Sequence, residues 1–230
     1  MPSAHEIARG RTRLQRRRGM RALTAGGTDG NEQLTAITGV VLIALLAVIG
    51  LTILRIHQLI SVHLFVGLML IGPVALKLAS TGYRFLRYYG GDRVYRTKGP
   101  PETWLRLLAP LVVLTTVIVF VTGVLLMFAG PAHRNPLLEL HKVGFIAWIA
   151  FTGLHVLGHL PTVGRLFGID ASAGARRRAT IELTNTPGAA GRWIVLAGAI
   201  VAGLVLAIVL LPHFHLWTSD RAFLHHFHDG

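Results

Sequence analysis

Residues Leu140–Leu160 read LHKVGFIAWIAFTGLHVLGHL. The stretch is apolar, long enough to cross a bilayer, and carries His141, His155 and His159. His141 and His155 are fourteen residues apart. At about 100° and 1.5 Å per residue, a helix returns them to within roughly 40° of one face and separates them by roughly 21 Å. An earlier apolar stretch, starting at His63, repeats the spacing with one change. Fourteen residues after His63 stands Lys77, where the later stretch has a second histidine.

The surrounding chain is of the same character. Its 230 residues have a mean hydropathy of +0.56 and are only 14% charged, against about 25% in soluble domains. Five windows of membrane-spanning length follow one another: Leu34–Leu54, Leu59–Leu78, Leu105–Ala129, Leu138–Leu160 and Trp193–Leu211. The expected class is an all-α membrane protein. Residues 1–33 read as a disordered basic cytoplasmic tail, 34–160 as a four-helix membrane bundle, and 161–192 as a cytoplasmic loop. A fifth transmembrane helix is expected over 193–212, as an extra packing helix, and a His-rich external tail over 213–230. Pro73 is expected to kink the second helix. The first thirty residues are polar, with no apolar signal-peptide core, so the first span is expected to act as its own insertion signal.

The formal net charge of +13 is topological rather than a sign of nucleic acid. Eighteen basic residues lie in the N-terminal tail and the second and fourth connections, and four in the alternate segments (Arg55, Arg134, Lys142, Arg221). The positive-inside rule then puts the N-terminus in the cytoplasm and the C-terminus outside a bacterial plasma membrane. The basic loops face anionic headgroups of the lipid bilayer, and no aromatic-interleaved basic fold points to nucleic acid.

With no cysteine, thiolate-held haem, iron–sulfur clusters and disulfides are excluded. Twelve histidines remain as metal ligands. Alternating topology makes the second and fourth helices parallel, so His63 and His141 share one depth and Lys77 and His155 the other. One imidazole from each helix can clamp a haem iron, and bis-His ligation suits electron transfer. Gly67, one turn after His63, either lets a flat ring approach the backbone or serves ordinary small-residue packing. Lys77 can snorkel to the headgroups, pair with a haem propionate, or ligate a second iron opposite His155. In the tail, His213, His215, His225, His226 and His228 can bind an external transition metal or form a solvated, pH-sensitive segment.

The paired segments resemble the ligand helices of the cytochrome b superfamily, over residues 34–160. The stretches LKLASTGYRFLRYY and LHKVGFIAW also look like those of actinobacterial membrane proteins. The resemblance implies a four-helix core with haem b held by histidines thirteen or fourteen residues apart. His63, His141 and His155 match that pattern, and Lys77 departs from it where a fourth histidine belongs, so the resemblance carries one haem further than a second. It implies a b-type cytochrome passing electrons within or across the bilayer. Such a protein could be the electron-transfer subunit of an oxidoreductase, working with quinol and a redox partner subunit. A different class of reading stays open: a haem-free membrane anchor or small transport component whose histidines bind metal or relay protons. No catalytic residue is singled out, and no nucleotide or flavin fingerprint is present.

The charge asymmetry makes a direct prediction. A reporter fused after Gly230 should be active only outside the cytoplasm, and activity inside would reverse the orientation.

Overall fold

The structure, a computed structural model, describes residues 27–97, 103–129, 134–167 and 187–218. All regular structure among the described residues is helical. Helix α1 covers Gly27–Leu54, α2 Ile56–Tyr89, α3 Arg93–Thr97, α4 Thr103–Phe128, α5 Arg134–Phe167 and α6 Ala189–Leu210. A 3-10 turn (Leu211–Phe214) and a short helix α7 (His215–Thr218) follow.

Helices α1, α2, α4, α5 and α6 are each long and apolar enough to cross a membrane. Their outward faces are bare hydrocarbon: Leu51, Leu54, Leu107, Val143, Ile146 and Ile194 are all exposed, Leu54 at 79%. Apolar surface on this scale needs lipid rather than water. The buried positions, by contrast, include Thr38, Thr52, Thr115, Thr116 and Thr122. Small and polar residues inside, with apolar residues outside, are the pattern of a helix bundle in hydrocarbon. The chain is a multi-pass membrane protein.

Several helices overrun the apolar windows. α1 begins at Gly27, so the expected tail over 1–33 loses its last seven residues to the helix. Asp29 in the first turn complements the positive end of the helix dipole. α5 continues to Phe167 and α6 starts at Ala189, which shortens the expected loop from both sides. Hydropathy marks the hydrocarbon-embedded part of a helix, whereas backbone hydrogen bonding carries the helix on into the headgroup layer. In α2 the torsions stay helical through Pro73 and depart from helical values at Leu59 (φ −113°, ψ 19°).

α2 is the central element. It packs at length against α1 on one side and α6 on another, while α4 and α5 form a second pair. The two groups meet through a lighter α2–α4 contact and through the C-terminal turn and α7. Leu68 of α2, Met127 of α4, Ala207 of α6 and Phe214 form one buried cluster; Leu42 of α1 with Val66 and Leu70 of α2 forms another. The fifth span is therefore no peripheral addition. Gly72 and Gly203 put the α2 and α6 backbones in direct contact: a Cβ on Gly72 would run into the Ala199 carbonyl, and one on Gly203 into that of Met69. Gly198, by contrast, faces open space.

The two glycines should separate cleanly in a thermal melt of the purified protein. Gly203→Ala forces the backbones apart and should cost about 1–3 kcal/mol, the range for overpacking. Gly198→Ala should stay within about 0.5 kcal/mol of the parent. Equal effects would show that the α2–α6 crossing does not depend on backbone contact.

Candidate functional site

α2 and α5 both start at the same end of the molecule, at Ile56 and Arg134. His63 and His141 each stand seven residues beyond those starts, so both lie roughly 10 Å along their helices. The two imidazoles are close enough for a charge on one to act on the other. Yet α2 and α5 share at most a marginal backbone contact. The two histidines stand at matched positions on their helices while the helices themselves stay apart.

Each imidazole is held by a threonine of the preceding helix. Thr52 Oγ1 of α1 lies 2.8 Å from His63 Nδ1, and Thr122 Oγ1 of α4 lies 2.9 Å from His141 Nδ1. Both hydroxyls make a shorter contact, 2.6 Å, to a carbonyl of their own helix, Ile49 and Ile118. A carbonyl can only accept, so each hydroxyl proton is committed there. The hydroxyl oxygen is then the acceptor for the ring, and Nδ1 carries the imidazole N–H. In a neutral imidazole, a proton on Nδ1 leaves the lone pair on Nε2. An imidazole with its Nε2 lone pair left free in this way can serve as a metal ligand.

The register of α4 against α5 explains why Thr122 meets His141. The helices run antiparallel, with Thr122 by His141, Ile118 by Gly144, Thr116 by Trp148 and Trp104 by Gly158. Trp148 Nε1 donates to Thr116 Oγ1 at 3.0 Å, and a Cβ on Gly144 would stand 2.9 Å from Ile118 Cγ2. Gly123 gives the His141 ring its room, since a Cβ there would lie 3.2 Å from Cε1. Gly67 has nothing within 4 Å of the place a Cβ would take. Of the two readings of this glycine, small-residue packing against a helix has no neighbour to support it.

Lys77 goes elsewhere. Its Nζ donates to the Thr35 carbonyl of α1 at 2.6 Å and sits where a Cβ on Gly39 would be 3.1 Å away. Around it, Thr35 Oγ1 donates to Ser80 Oγ, Ser80 to the Lys77 carbonyl, and Asn31 to the Ser80 carbonyl. The structure joins Lys77 to α1, and no described hydrogen bond joins it to His155. His155 is half-buried in α5 with its Nδ1 atom inside. The side chain of His159 and the whole of His225, His226 and His228 lie outside the described residues. Of the tail, His213 packs edge-on to Phe128 with ring centroids 5.0 Å apart, and His215 Nδ1 bonds the Pro212 carbonyl. Among the described residues no three His, Asp or Glu side chains gather around one point.

The C-terminal segment covers the histidine end. Trp217 Nε1 donates to the Leu126 carbonyl at 2.9 Å, and the Arg134 guanidinium lies 5.3 Å over the Trp217 ring. One residue therefore ties the end of α4 to the start of α5. No known protein family, curated protein or solved structure matches this chain.

Thr52, Thr122 and Gly123 are the site residues that sequence reading missed as partners. The available signal was the presence of small polar residues in spans otherwise made of Leu, Val and Ile.

The Thr122–His141 bond can be measured by a double-mutant cycle on unfolding. Thr122→Val and His141→Ala should couple by about 0.5–1.7 kcal/mol, the scale of hydrogen bonds between membrane helices. Thr122→Ser should retain most of the parent stability. Strict additivity of the two substitutions would mean that the bond contributes nothing.

Proposed function

We propose that this chain is a b-type membrane cytochrome that binds one haem between α2 and α5, with His63 and His141 as axial ligands. The observation that carries the proposal is the pair of imidazoles at matched positions on non-packing helices, each with Nδ1 bonded to a threonine and the lone pair left on Nε2. Haem b held by His63 and His141 would supply a one-electron Fe(III)/Fe(II) couple. The chain's own part is to fix both rings in the ligating tautomer, to keep α2 and α5 apart, and to present the open backbone at Gly67 to a flat ring. A quinol or a partner subunit would supply the electrons, and orientation follows the charge bias, with the site near the external surface.

Lys77 enters this reading as a structural cation. Its engagement with the Thr35 carbonyl favours one haem per chain over a second one facing His155.

Full-length protein expressed with ample haem should be coloured and should give about one haem per chain by pyridine haemochrome. His63→Ala and His141→Ala should each remove the same low-spin signal, while Lys77→Ala should leave it. Colourless protein would favour the haem-free anchor or transport component. Full low-spin haem in either histidine variant would sink the pairing.

A further inference from the structure

At the end opposite the histidines, α2 leaves the apolar layer through Thr81–Tyr89, and the chain turns back at Gly90-Gly91 into α3. Gly91 has φ +90°, which a residue with a side chain rarely adopts. The turn is built around two tyrosines and one arginine. Tyr95 of α3 is buried and meets Tyr83 edge-on, with ring centroids 6.1 Å apart. The Arg87 guanidinium lies 5.9 Å and 5.8 Å from those two rings and also forms an ion pair with Asp92. Burial pushes the Tyr95 phenol above its usual pKa, so the hydroxyl stays neutral. Asp92 is doubly engaged, since its other carboxylate oxygen accepts from the Val94 amide at 2.9 Å and caps α3.

The remaining cations have no such counter-charge. Arg96 donates to the Tyr88 carbonyl at 3.4 Å and lies over the turn, with Nη2 4.0 Å from where a Cβ on Gly91 would be. Arg84 and Arg93 make no ion pair among the described residues. Beside these guanidinia lies exposed apolar surface: Phe85, Leu86 and Val94 are exposed at 60%, 70% and 61%. A shallow cleft runs between the two kinds of surface, lined by Tyr83, Leu86, Arg87, Gly90, Gly91 and Asp92.

We propose that this junction is a binding site for one anionic phospholipid, with the headgroup phosphate on Arg93 and Arg96 and the acyl chain along Phe85, Leu86 and Val94. Charge decides the ligand class. The one described carboxylate of the junction is already occupied, so the exposed Arg93 and Arg96 have no ion-pair partner among the described residues. Position decides the source. The cleft begins where a membrane-spanning helix ends, which is the level of phospholipid phosphates, and the neighbouring apolar side chains give a diacyl molecule a place that free phosphate does not use. Arginine also suits phosphate through its planar fork of donors. The proposal is independent of haem, since it concerns the opposite end of the bundle.

The test uses full-length protein in detergent with phosphatidylglycerol, phosphatidylcholine or glycerol phosphate added, reading thermal stability and lipid retained in native mass spectra. Phosphatidylglycerol should raise the melting temperature and remain bound, and the other two should do neither. Arg93→Gln should weaken apparent phosphatidylglycerol affinity about fivefold, the worth of one basic residue at an anionic surface. Arg93→Gln/Arg96→Gln should abolish the shift, and Arg93→Lys should retain most of it. Arg93 is exposed, so its single variant reports even where the double variant does not fold. An unchanged phosphatidylglycerol effect in Arg93→Gln would place the lipid on other basic segments and overturn the proposal. Equal effects of phosphatidylcholine, or full effect from glycerol phosphate alone, would overturn it as well.

Discussion

A threonine hydroxyl has one proton, and in both Thr52 and Thr122 the nearest acceptor is a carbonyl of the residue's own helix. Everything at the histidine end depends on that preference. Because the proton is committed, the hydroxyl oxygen faces the imidazole as an acceptor, and the ring must donate from Nδ1. Had either threonine been alanine or valine, the imidazole would be free to rotate or to exchange tautomers. The bond is modest in energy, yet it fixes the orientation of a side chain whose chemistry lies in which nitrogen holds the lone pair. The same device occurs on two different helix pairs, α1–α2 and α4–α5, and orients two neighbouring rings.

The opposite half of the α1–α2 seam solves a different problem. An ammonium at membrane depth is costly unless its protons find acceptors. Lys77 finds the Thr35 carbonyl, and Gly39 removes the side chain that would have kept it out. Thr35, Ser80 and Asn31 extend the polar contacts along the seam. Thus α1, which by composition is a plain lipid-facing span, is bonded to α2 at both ends, through Thr52–His63 and through Thr35–Lys77–Ser80.

What could be read from the chain follows the physics of each signal. Five spans were legible because hydrocarbon thickness imposes a length and a composition. The matched depth of His63 and His141 was legible because alternating spans with short external turns return to one level. Helix ends were misplaced, as with Gly27 against Leu34, because hydropathy stops at the headgroups and the helix does not. The close fit of α6 to α2 was missed because Gly203 and Gly198 look alike in sequence, while only one of them meets a backbone. The partners of the histidines were missed for a related reason. In lipid, apolar residues do not reveal the buried face, so Thr52 in a featureless helix carried the information without standing out.

The separation of α2 from α5 is the remaining constraint on the site, and it is set indirectly. α5 packs on α4 and hardly at all on α2, so the spacing between His63 and His141 is governed by how α4 sits against α2 and α6. That placement rests on Met127 within the cluster of Leu68, Ala207 and Phe214. It is also held from above, since Trp217 bonds the Leu126 carbonyl and carries the Arg134 guanidinium on its ring. The fifth span and the segment after it lie outside the first four spans, which carry both histidines. Through the Gly72–Gly203 contact and the Trp217 tie, they nevertheless fix the position of the helix pair that presents His141 to His63. A small bundle with a lightly packed α2–α4 interface gains from such an external brace, because the two rings keep their spacing without the helices closing on each other.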